Sequence, residues 1–378
     1  MIALARKTLA YEWRRFVPVV LAVGFSGVLL AVQAALVLGI FGSAALYVTA
    51  SSADLWAGYP GTQSVNFGRP ISRDVEMRLR MDPDVTAVEP YLWVDGDWHA
   101  SAASETSVSV YLSGIATGAD AMLFSAVLPP SLRARLREPG AVIVDPADLD
   151  TLGVGDGGRA WINTHPVRVV AVVQGLRGLG GVNVLASLDT AREIAGPDAG
   201  RGNTYYVART AQPQQAEAAL ARLASGGGAF GPYEVWTARA FAHRSQRYWL
   251  LDTGAGVAVL FMALIVCLVG AVITSQSFAA VVAGSAREYA TLNALGASRG
   301  ALGRVVVAQS CWIGGLGLVL AVAASAILLA AAAAYQVPVA MTPGVALACA
   351  ALVGVMALLS SLAAVRGLLR ADPTLLLR

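Results

Sequence analysis

The sequence contains few charged residues, and these are unevenly distributed along the chain. Only 13% of its 378 residues are charged, whereas soluble domains carry about 25%. No Asp, Glu, Lys or Arg occurs over residues 16–53, 253–286 and 305–365. A bilayer core about 30 Å thick requires roughly 20 helical residues. The three stretches therefore predict membrane-spanning helices, which satisfy their own backbone polar groups in lipid.

Lysine is almost absent, with Lys7 as the single example. A phosphate-binding Walker A loop needs a lysine after its glycines. The chain therefore has no ATP site of that kind, and any ATP-driven work requires a separate polypeptide. Nothing in the sequence points to a nucleic-acid partner.

Histidine and cysteine are also scarce, with three of each. The histidines do not stand at ligand spacing, and no HExxH or CxxC motif occurs, so we expect no metal site and no cofactor. All three cysteines fall in the chargeless stretches, so the region between the first two stretches has no disulfides. The residues concerned are His99, His165, His243, Cys267, Cys311 and Cys349.

One segment matches a catalytic motif in sequence but lacks the structural context that the motif requires. Residues 296–300, Gly-Ala-Ser-Arg-Gly, match G-x-S-x-G. A nucleophile elbow needs a strand before the serine and a helix after it, and here both flanks look helical. We therefore expect no catalytic residues and interpret the chain as a non-enzymatic protein.

The third stretch is long enough for two helices, with turn residues at 335–338 and 343–344 to divide them. The apolar run of the first stretch is too long for a signal peptide. The predicted fold class is an α-helical membrane protein with four spans and a mixed α+β extracytoplasmic domain between the first and second. The predicted order is an interfacial helix 1–15, span one 16–46, the domain 47–248, span two 250–283, a cytoplasmic loop 284–302, span three 303–334, span four 343–365 and a tail 366–378. An ordinary basic flank is an equal alternative for residues 1–15.

Ten basic residues outside residues 47–248 fix the orientation. They lie at the N-terminus, between spans two and three, and at the C-terminus, which four spans place on one side. The positive-inside rule makes that side cytoplasmic and the domain periplasmic, so we expect a multi-pass bacterial inner-membrane protein. These residues are Arg6, Lys7, Arg14, Arg15, Arg287, Arg299, Arg304, Arg366, Arg370 and Arg378.

The domain reads as a mixture of short strands and helices. β-Branched and aromatic segments bounded by turn residues predict strands at 87–94, 108–115, 141–144, 167–173 and 204–207. Helices are predicted at 71–81, 213–224 and 239–249. We expect an outer part at 118–200 and a base formed by 54–117 and 201–245. The outer part is rich in glycine, which we interpret as a turn-rich loop. Four tryptophans could line an apolar groove or belong to the core: Trp56, Trp93, Trp98 and Trp161.

No acidic or basic residue lies at the predicted depth of any span, which argues against an ion channel or a secondary transporter. Small residues are abundant in span three, notably Gly314, Gly315, Gly317, Ala321, Ala323, Ala324, Ser325 and the run 330–334. Such residues allow close helix packing, although general alanine richness is the alternative explanation. We expect a tightly packed bundle within a homodimer.

The cytoplasmic loop is the densest functional candidate. Its segment 285–299 places Tyr289, Leu292 and Leu295 on one side of a short helix that Gly296 ends. An exposed apolar helical stripe flanked by charge is suited to dock in a partner's groove. A helix that simply returns to the membrane is the alternative.

This loop resembles the RxxEYATLxALGAS signature of FtsX-like and MacB-like (type VII) ABC permeases. The order of spans and domain and the tail Arg370-Ala371-Asp372-Pro373 are similar as well. Residues 288–292, the segment from Leu9 to Arg15 and residues 52–56 look most like the DevC branch. The short, glycine-rich middle of the domain departs from the common pattern.

The resemblance implies a homodimeric permease that works with two copies of a separate ABC ATPase, which binds ATP and Mg²⁺. It assigns the seat of that ATPase to Arg287, Glu288, Tyr289, Leu292, Leu295, Gly296, Ala297 and Ser298. ATPase closure would then move the spans and the periplasmic domain.

Three functions fit this resemblance. The favoured one is export of lipids, glycolipids, peptides or drugs with a membrane-fusion adaptor and an outer-membrane channel. The second is mechanical regulation of an external partner such as a cell-wall hydrolase. The third is release of lipoproteins from the membrane.

Overall fold

The chargeless stretches form long helices in the computed structural model, which describes residues 11, 13–102, 106–197, 202–224, 230–284, 299–335 and 337–370. Four helices are long and apolar enough to cross a membrane, and a mixed α+β domain lies between the first and second. This confirms the predicted fold class. The described α-helices are α1 (Trp13–Ser43), α2 (Leu46–Thr49), α3 (Asp74–Arg80), α4 (Pro130–Arg135), α5 (Leu149–Leu152), α6 (Leu188–Ala195), α7 (Ala216–Ala224), α8 (Ala238–Arg247), α9 (Gly254–Gly284), α10 (Arg299–Ala334) and α11 (Pro343–Arg370).

The chain divides into two compact units. The first, called the membrane unit, comprises residues 1–40 and 257–378. The second, called the inserted domain, comprises residues 41–256. The four long helices are α1, α9, α10 and α11, and the other helices belong to the inserted domain.

The described residues of the inserted domain form nine strands. They are β1 (Leu55–Gly58), β2 (Val85–His99), β3 (Val108–Ile115), β4 (Ala141–Val144), β5 (Arg159–Ile162), β6 (His165–Val172), β7 (Val182–Ser187), β8 (Tyr205–Thr210) and β9 (Glu234–Thr237). Their order is β3-β7-β4-β6-β5-β2-β8-β1-β9, and β3 also pairs with β2. The six strands from β3 to β2 therefore form a closed ring, which leaves none of them with a free edge.

The 15-residue strand β2 joins the ring to the rest of the sheet. Its first half pairs antiparallel with β8, from Val85 to Tyr91. Its second half pairs with β3, from Leu92 to Trp98. Because side chains alternate along a strand, Leu92 packs in one hydrophobic cluster and Trp93 in another. Both faces of β2 are thus buried at the point where the two halves meet.

The predicted strands at 108–115 and 141–144 are confirmed residue for residue as β3 and β4. Strands β1, β5, β7 and β9 were not predicted. Strand β7 follows directly on the glycine-rich segment, which was interpreted as loop throughout. Strand β3 pairs in parallel with β7, so it lies among the outer strands, whereas the sequence placed it in the base.

In the membrane unit, a cluster of apolar side chains joins α1 to α9, α10 and α11. Its buried members are Phe16, Val19, Val23, Phe278, Ile313, Val353 and Ala357. Larger apolar side chains elsewhere on these helices stay exposed within the unit, as expected for surfaces that face lipid. All three cysteines lie in the long helices and are unpaired.

Candidate functional site

The predicted ATPase seat lies outside the residues that the structure describes. Arg287, Glu288, Tyr289, Leu292, Leu295, Gly296, Ala297 and Ser298 all fall within residues 285–298. Helix α10 begins directly after them, at Arg299. The seat therefore stays a prediction from sequence, and the described site is the place where the inserted domain receives the chain from α1 and returns it to α9.

Helix α2 begins three residues after α1 ends and anchors the chain in the domain. Its Tyr47 is fully buried. The ring of Tyr47 meets the ring of Trp93 edge to face, with centroids 4.9 Å apart, and that of Phe124 at 6.2 Å. Such aromatic pairs contribute about 0.5–1.5 kcal/mol each beyond the area that they bury. The first residues after α1 are thus part of the domain's hydrophobic core.

The glycine-rich loop, residues 175–181, packs against Tyr47. A Cβ atom at Gly178 would stand 2.3 Å from the Tyr47 hydroxyl oxygen, and one at Gly181 would stand 2.8 Å from the Tyr111 ring. The Tyr111 hydroxyl donates to the Gly180 carbonyl oxygen at 3.1 Å. Glycine is therefore required here for close approach to the rings. The sequence had explained these glycines by turns alone.

Two aspartates contact the glycine-rich loop. Asp145 Oδ2 accepts hydrogen bonds from the backbone N–H groups of Gly175 at 2.8 Å and Leu176 at 2.9 Å. The Asp148 side chain is 1% exposed, and its Oδ1 lies 3.3 Å from Nε of Arg177. We call this arrangement of Tyr47, Asp145, Asp148 and the loop the Tyr47 junction.

The Tyr47 junction contains polar atoms with no hydrogen-bond partner in the described part of the chain. They are the Tyr47 hydroxyl and both carboxylate oxygens of Asp148. Burial raises the pKa of Asp148, although Arg177 opposes the shift. Burial, followed by the charges of Tyr91, Tyr111 and Asp148, raises the pKa of Tyr47 well above its usual value. The buried Tyr47 hydroxyl, which has no described hydrogen-bond partner, is costly, whereas Asp148 keeps its ion pair with Arg177.

Helix α8 anchors the returning chain. The Thr237 side chain caps the helix by accepting from the Ala240 N–H at 3.3 Å. Phe241 is fully buried and stacks on Trp236, with centroids 4.8 Å apart and planes inclined by 13°. Helices α2 and α8 also contact each other, so both chain connections share one core.

A turn of π-helix, Tyr248–Asp252, leads from α8 into α9. The Trp249 indole N–H donates to Ser64 Oγ at 3.1 Å. The connection to α9 is therefore fixed to the domain up to five residues before Gly254, the first residue of that helix.

Of the two alternatives for the four tryptophans, an apolar groove or the core, the structure favours the core for three. Trp56, Trp93 and Trp98 are buried, and Trp98 donates its indole N–H to the Leu152 carbonyl oxygen at 3.0 Å. Trp161 is half-buried on β5. Trp56, Trp93 and Trp98 therefore belong to the core of the domain.

The small residues of α1 and α10 produce a close helix crossing in the membrane unit. A Cβ at Gly27 would stand 2.6 Å from the Ala321 Cβ, and one at Gly317 would stand 2.7 Å from the Val23 Cβ. Helix α9 is tied to α1 by Ser26 Oγ, which lies 3.2 Å from Thr274 Oγ1. The predicted packing role of Gly317 and Ala321 is confirmed, whereas Gly315 has open space around it.

Comparison with known families finds a match to the C-terminal part of the chain. Residues 260–373 match the family model described as FtsX-like permease C-terminal. This segment includes the whole predicted ATPase seat. No curated sequence matches the chain.

Three solved structures are similar to about half of the chain. The periplasmic region of MacB from Actinobacillus actinomycetemcomitans is 15% identical, with 52% of this chain and 94% of that one covered and a TM-score of 0.35. The extracellular domain of the noncanonic ABC-type transporter YknZ from Gram-positive bacteria is 13% identical, with 49% and 100% covered and a TM-score of 0.34. A domain of a permease protein from Porphyromonas gingivalis is 12% identical, with 49% and 86% covered and a TM-score of 0.31.

Proposed function

We propose that this chain is the membrane subunit of an ABC transporter of the FtsX and MacB type, which transmits the motion of a separate ATPase to the inserted domain. The observation that carries the proposal is the anchoring of both chain connections in the domain's aromatic core. Tyr47 follows α1 and Phe241 precedes α9, and both are fully buried. The family match over residues 260–373 supports the same assignment.

The transmission needs no charge in the membrane. The spans carry no Asp, Glu, Lys or Arg over residues 16–53, 253–286 and 305–365, so they are suited to move as apolar rods. Close packing between α1 and α10 makes these two helices move together, since tightly packed interfaces shift between discrete arrangements. A displacement of α1 then acts on Tyr47 and, through the glycine-rich loop, on the outer ring of strands.

The ATPase docks on the cytoplasmic loop in this proposal. Leu292 and Leu295 supply the apolar contact, and Arg287 and Glu288 flank it. ATP and Mg²⁺ bind to the ATPase and not to this chain. Two copies of the chain form the working unit, with both termini in the cytoplasm and the inserted domain in the periplasm.

Export is the function that we favour. The moving domain would drive lipids, glycolipids, peptides or drugs outward with a periplasmic adaptor and an outer-membrane channel. The DevC branch is the proposed position within the family, on the strength of residues 52–56 and 288–292.

Regulation of an external partner, such as a cell-wall hydrolase, is the second candidate. The burial of Trp56, Trp93 and Trp98 favours it, because a domain that only changes shape needs no cargo groove. Co-purification from the native host distinguishes the two candidates: an adaptor supports export, and a hydrolase supports regulation.

The ATPase contact is tested with Leu292→Asp and Leu295→Asp, which each place a charge in an apolar contact at a cost of several kcal/mol. Leu375→Asp is the matched control, since it changes a leucine in the same C-terminal half outside the family-matched segment. We expect the first two variants to lose the ATPase on affinity purification and the control to keep it. Full ATPase recovery with both loop variants would contradict the docking site.

A further inference from the structure

A cleft of about 220 Å³ lies at the end of the inserted domain from which the chain continues into α9. Its walls come from the turn after β1, from the segment that follows Val65, and from Tyr248. The cleft is separate from the Tyr47 junction and shares no residue with it. Nothing in the transmission described above uses it.

The turn that forms one wall is fixed by hydrogen bonds. The Gly61 N–H donates to Glu234 Oε2 at 2.9 Å, and the Thr62 hydroxyl donates to the Tyr59 carbonyl oxygen at 2.7 Å. Gly61 has a φ of +78° and open space where a side chain would stand. Glu234 is itself balanced by Arg244, whose Nη1 lies 3.3 Å from Glu234 Oε1. The nearby carboxylate is therefore already paired.

The cleft contains a cation without a counter-charge. Arg69 is exposed, and its guanidinium carbon lies 5.3 Å from the centre of the Tyr59 ring. None of the described carboxylates pairs with it. Stacking on tyrosine orients the planar guanidinium while its N–H donors stay free. This is the geometry of a site for an anion with several oxygens.

An aromatic wall lies beside the cation. Phe67 is 46% exposed, and its ring centre lies 5.4 Å from that of Tyr248 and 5.9 Å from that of Trp249. Tyr248 precedes Gly254, the first residue of α9, by six residues. Tyrosine and tryptophan are enriched at membrane–water interfaces, where lipid headgroups lie. The cleft thus combines a free arginine with an apolar surface, close in sequence to the start of a span.

We infer that this cleft binds the phosphate headgroup of an anionic phospholipid in the leaflet on the domain's side of the membrane. Arg69 binds the phosphate oxygens through its parallel N–H donors. The polar edge formed by Tyr59 and Gln63 faces the glycerol of the headgroup. Phe67 contacts the apolar part of the lipid, which a free phosphate lacks. The binding does not depend on the ATPase or on the direction of transport.

The test is native mass spectrometry of the full chain in mild detergent, with phosphatidylglycerol or phosphatidylcholine added. The wild type is expected to retain phosphatidylglycerol in preference to phosphatidylcholine. Arg69→Gln should weaken phosphatidylglycerol retention about tenfold, the effect of losing one strong charge-assisted contact. Arg69→Lys should keep part of the phosphatidylglycerol retention, because the positive charge remains while the planar pair of N–H donors is lost.

Arg247→Gln is the matched control. Arg247 is also exposed and precedes Tyr248 in the chain, but it does not line the cleft. Unchanged retention in this control, with an unchanged melting temperature of Arg69→Gln, supports the site. Equal losses in Arg69→Gln and Arg247→Gln would show only general attraction of anionic lipid and would overturn the inference.

Competition with inorganic phosphate distinguishes a phospholipid headgroup from free phosphate as the bound anion. We expect millimolar phosphate to leave the bound lipid in place, since the aromatic wall recognises only the lipid. Wild-type retention in Arg69→Gln, or binding of phosphate without any retention of phosphatidylglycerol, would rule out a phospholipid site.

Discussion

The inserted domain and the membrane unit are packed in opposite ways. The core of the inserted domain contains large rings that are fully buried, such as Trp56, Trp98 and Tyr91. In the membrane unit the helices meet over Gly27 and Gly317, with no room for a Cβ. The domain is stabilised by removing apolar area from water. Helices in lipid gain little from that effect and associate through close backbone packing.

The exposed surfaces of the inserted domain and the membrane unit differ as well. In the membrane unit Val319, Ile327 and Leu347 are 69%, 70% and 75% exposed, which would promote aggregation in water. In lipid they face a solvent as apolar as themselves. Removing a large side chain should therefore harm the inserted domain most, and adding one should harm the membrane unit most.

The largest effect is expected from Tyr47→Ala. Truncating a buried ring of this size costs about 3–5 kcal/mol, so the free energy of unfolding of the inserted domain should fall by that order. Chemical denaturation of the detergent-solubilised chain, followed by tryptophan fluorescence, measures the change.

Tyr47→Phe is its control, since it keeps the ring and removes a hydroxyl with no described hydrogen-bond partner. Its stability should stay within about 1 kcal/mol of the wild type. Equal losses in both variants would mean that the hydroxyl, and not ring packing, anchors the segment after α1.

The next effect is expected from Gly27→Leu in α1. The added side chain would collide with Ala321, whose Cβ lies 2.6 Å from the position of a Cβ at residue 27. Overpacking of this kind costs about 1–3 kcal/mol. A lower melting temperature in detergent is the measurement.

Gly315→Leu places the same side chain where the structure has open space. It should leave the melting temperature near that of the wild type. A loss as large as that of Gly27→Leu would contradict the idea that the α1–α10 crossing depends on small residues at particular positions.

A smaller effect is expected from Trp249→Phe, which removes the hydrogen bond to Ser64. Such a bond contributes about 0.5–1.5 kcal/mol. In a double-mutant cycle with Ser64→Ala, measured by denaturation, the second change should add little to the first. Fully additive losses would show that the two side chains do not interact.

The smallest effect concerns Asp148 and pH. Its folded-state pKa is raised above the unfolded value of about 3.9, so the folded state binds more protons between the two values. Stability should therefore fall as the pH rises through that window. Asp148→Asn cannot titrate, and its stability should be flatter over the same range. An unchanged slope in denaturation midpoints measured from pH 4 upward would assign the titration to another group.

Much of the fold was predictable because its signals are local. Four spans follow from chargeless stretches, and β3 and β4 follow from β-branched runs between turn residues. The closed ring was not predictable, since it depends on β2 changing partner between Tyr91 and Leu92. Strand β7 was missed because the glycines before it suggested a loop.

The site was predictable only in part. The sequence marks the cytoplasmic loop, which lies outside the described residues, and so its eight residues stay a prediction. The Tyr47 junction was not foreseen. Tyr47 belongs to a chargeless stretch, and only the tertiary structure brings it beneath Gly178.

The measurement that tests the transmission most directly is hydrogen–deuterium exchange of residues 175–181 in the complete complex with its ATPase. The Gly175 and Leu176 N–H groups donate to Asp145, so their exchange reports on the Tyr47 junction. We predict that ATP changes their exchange in the wild type and that Tyr47→Ala abolishes the change while ATP hydrolysis continues. A change of the same size in Tyr47→Ala would contradict the account.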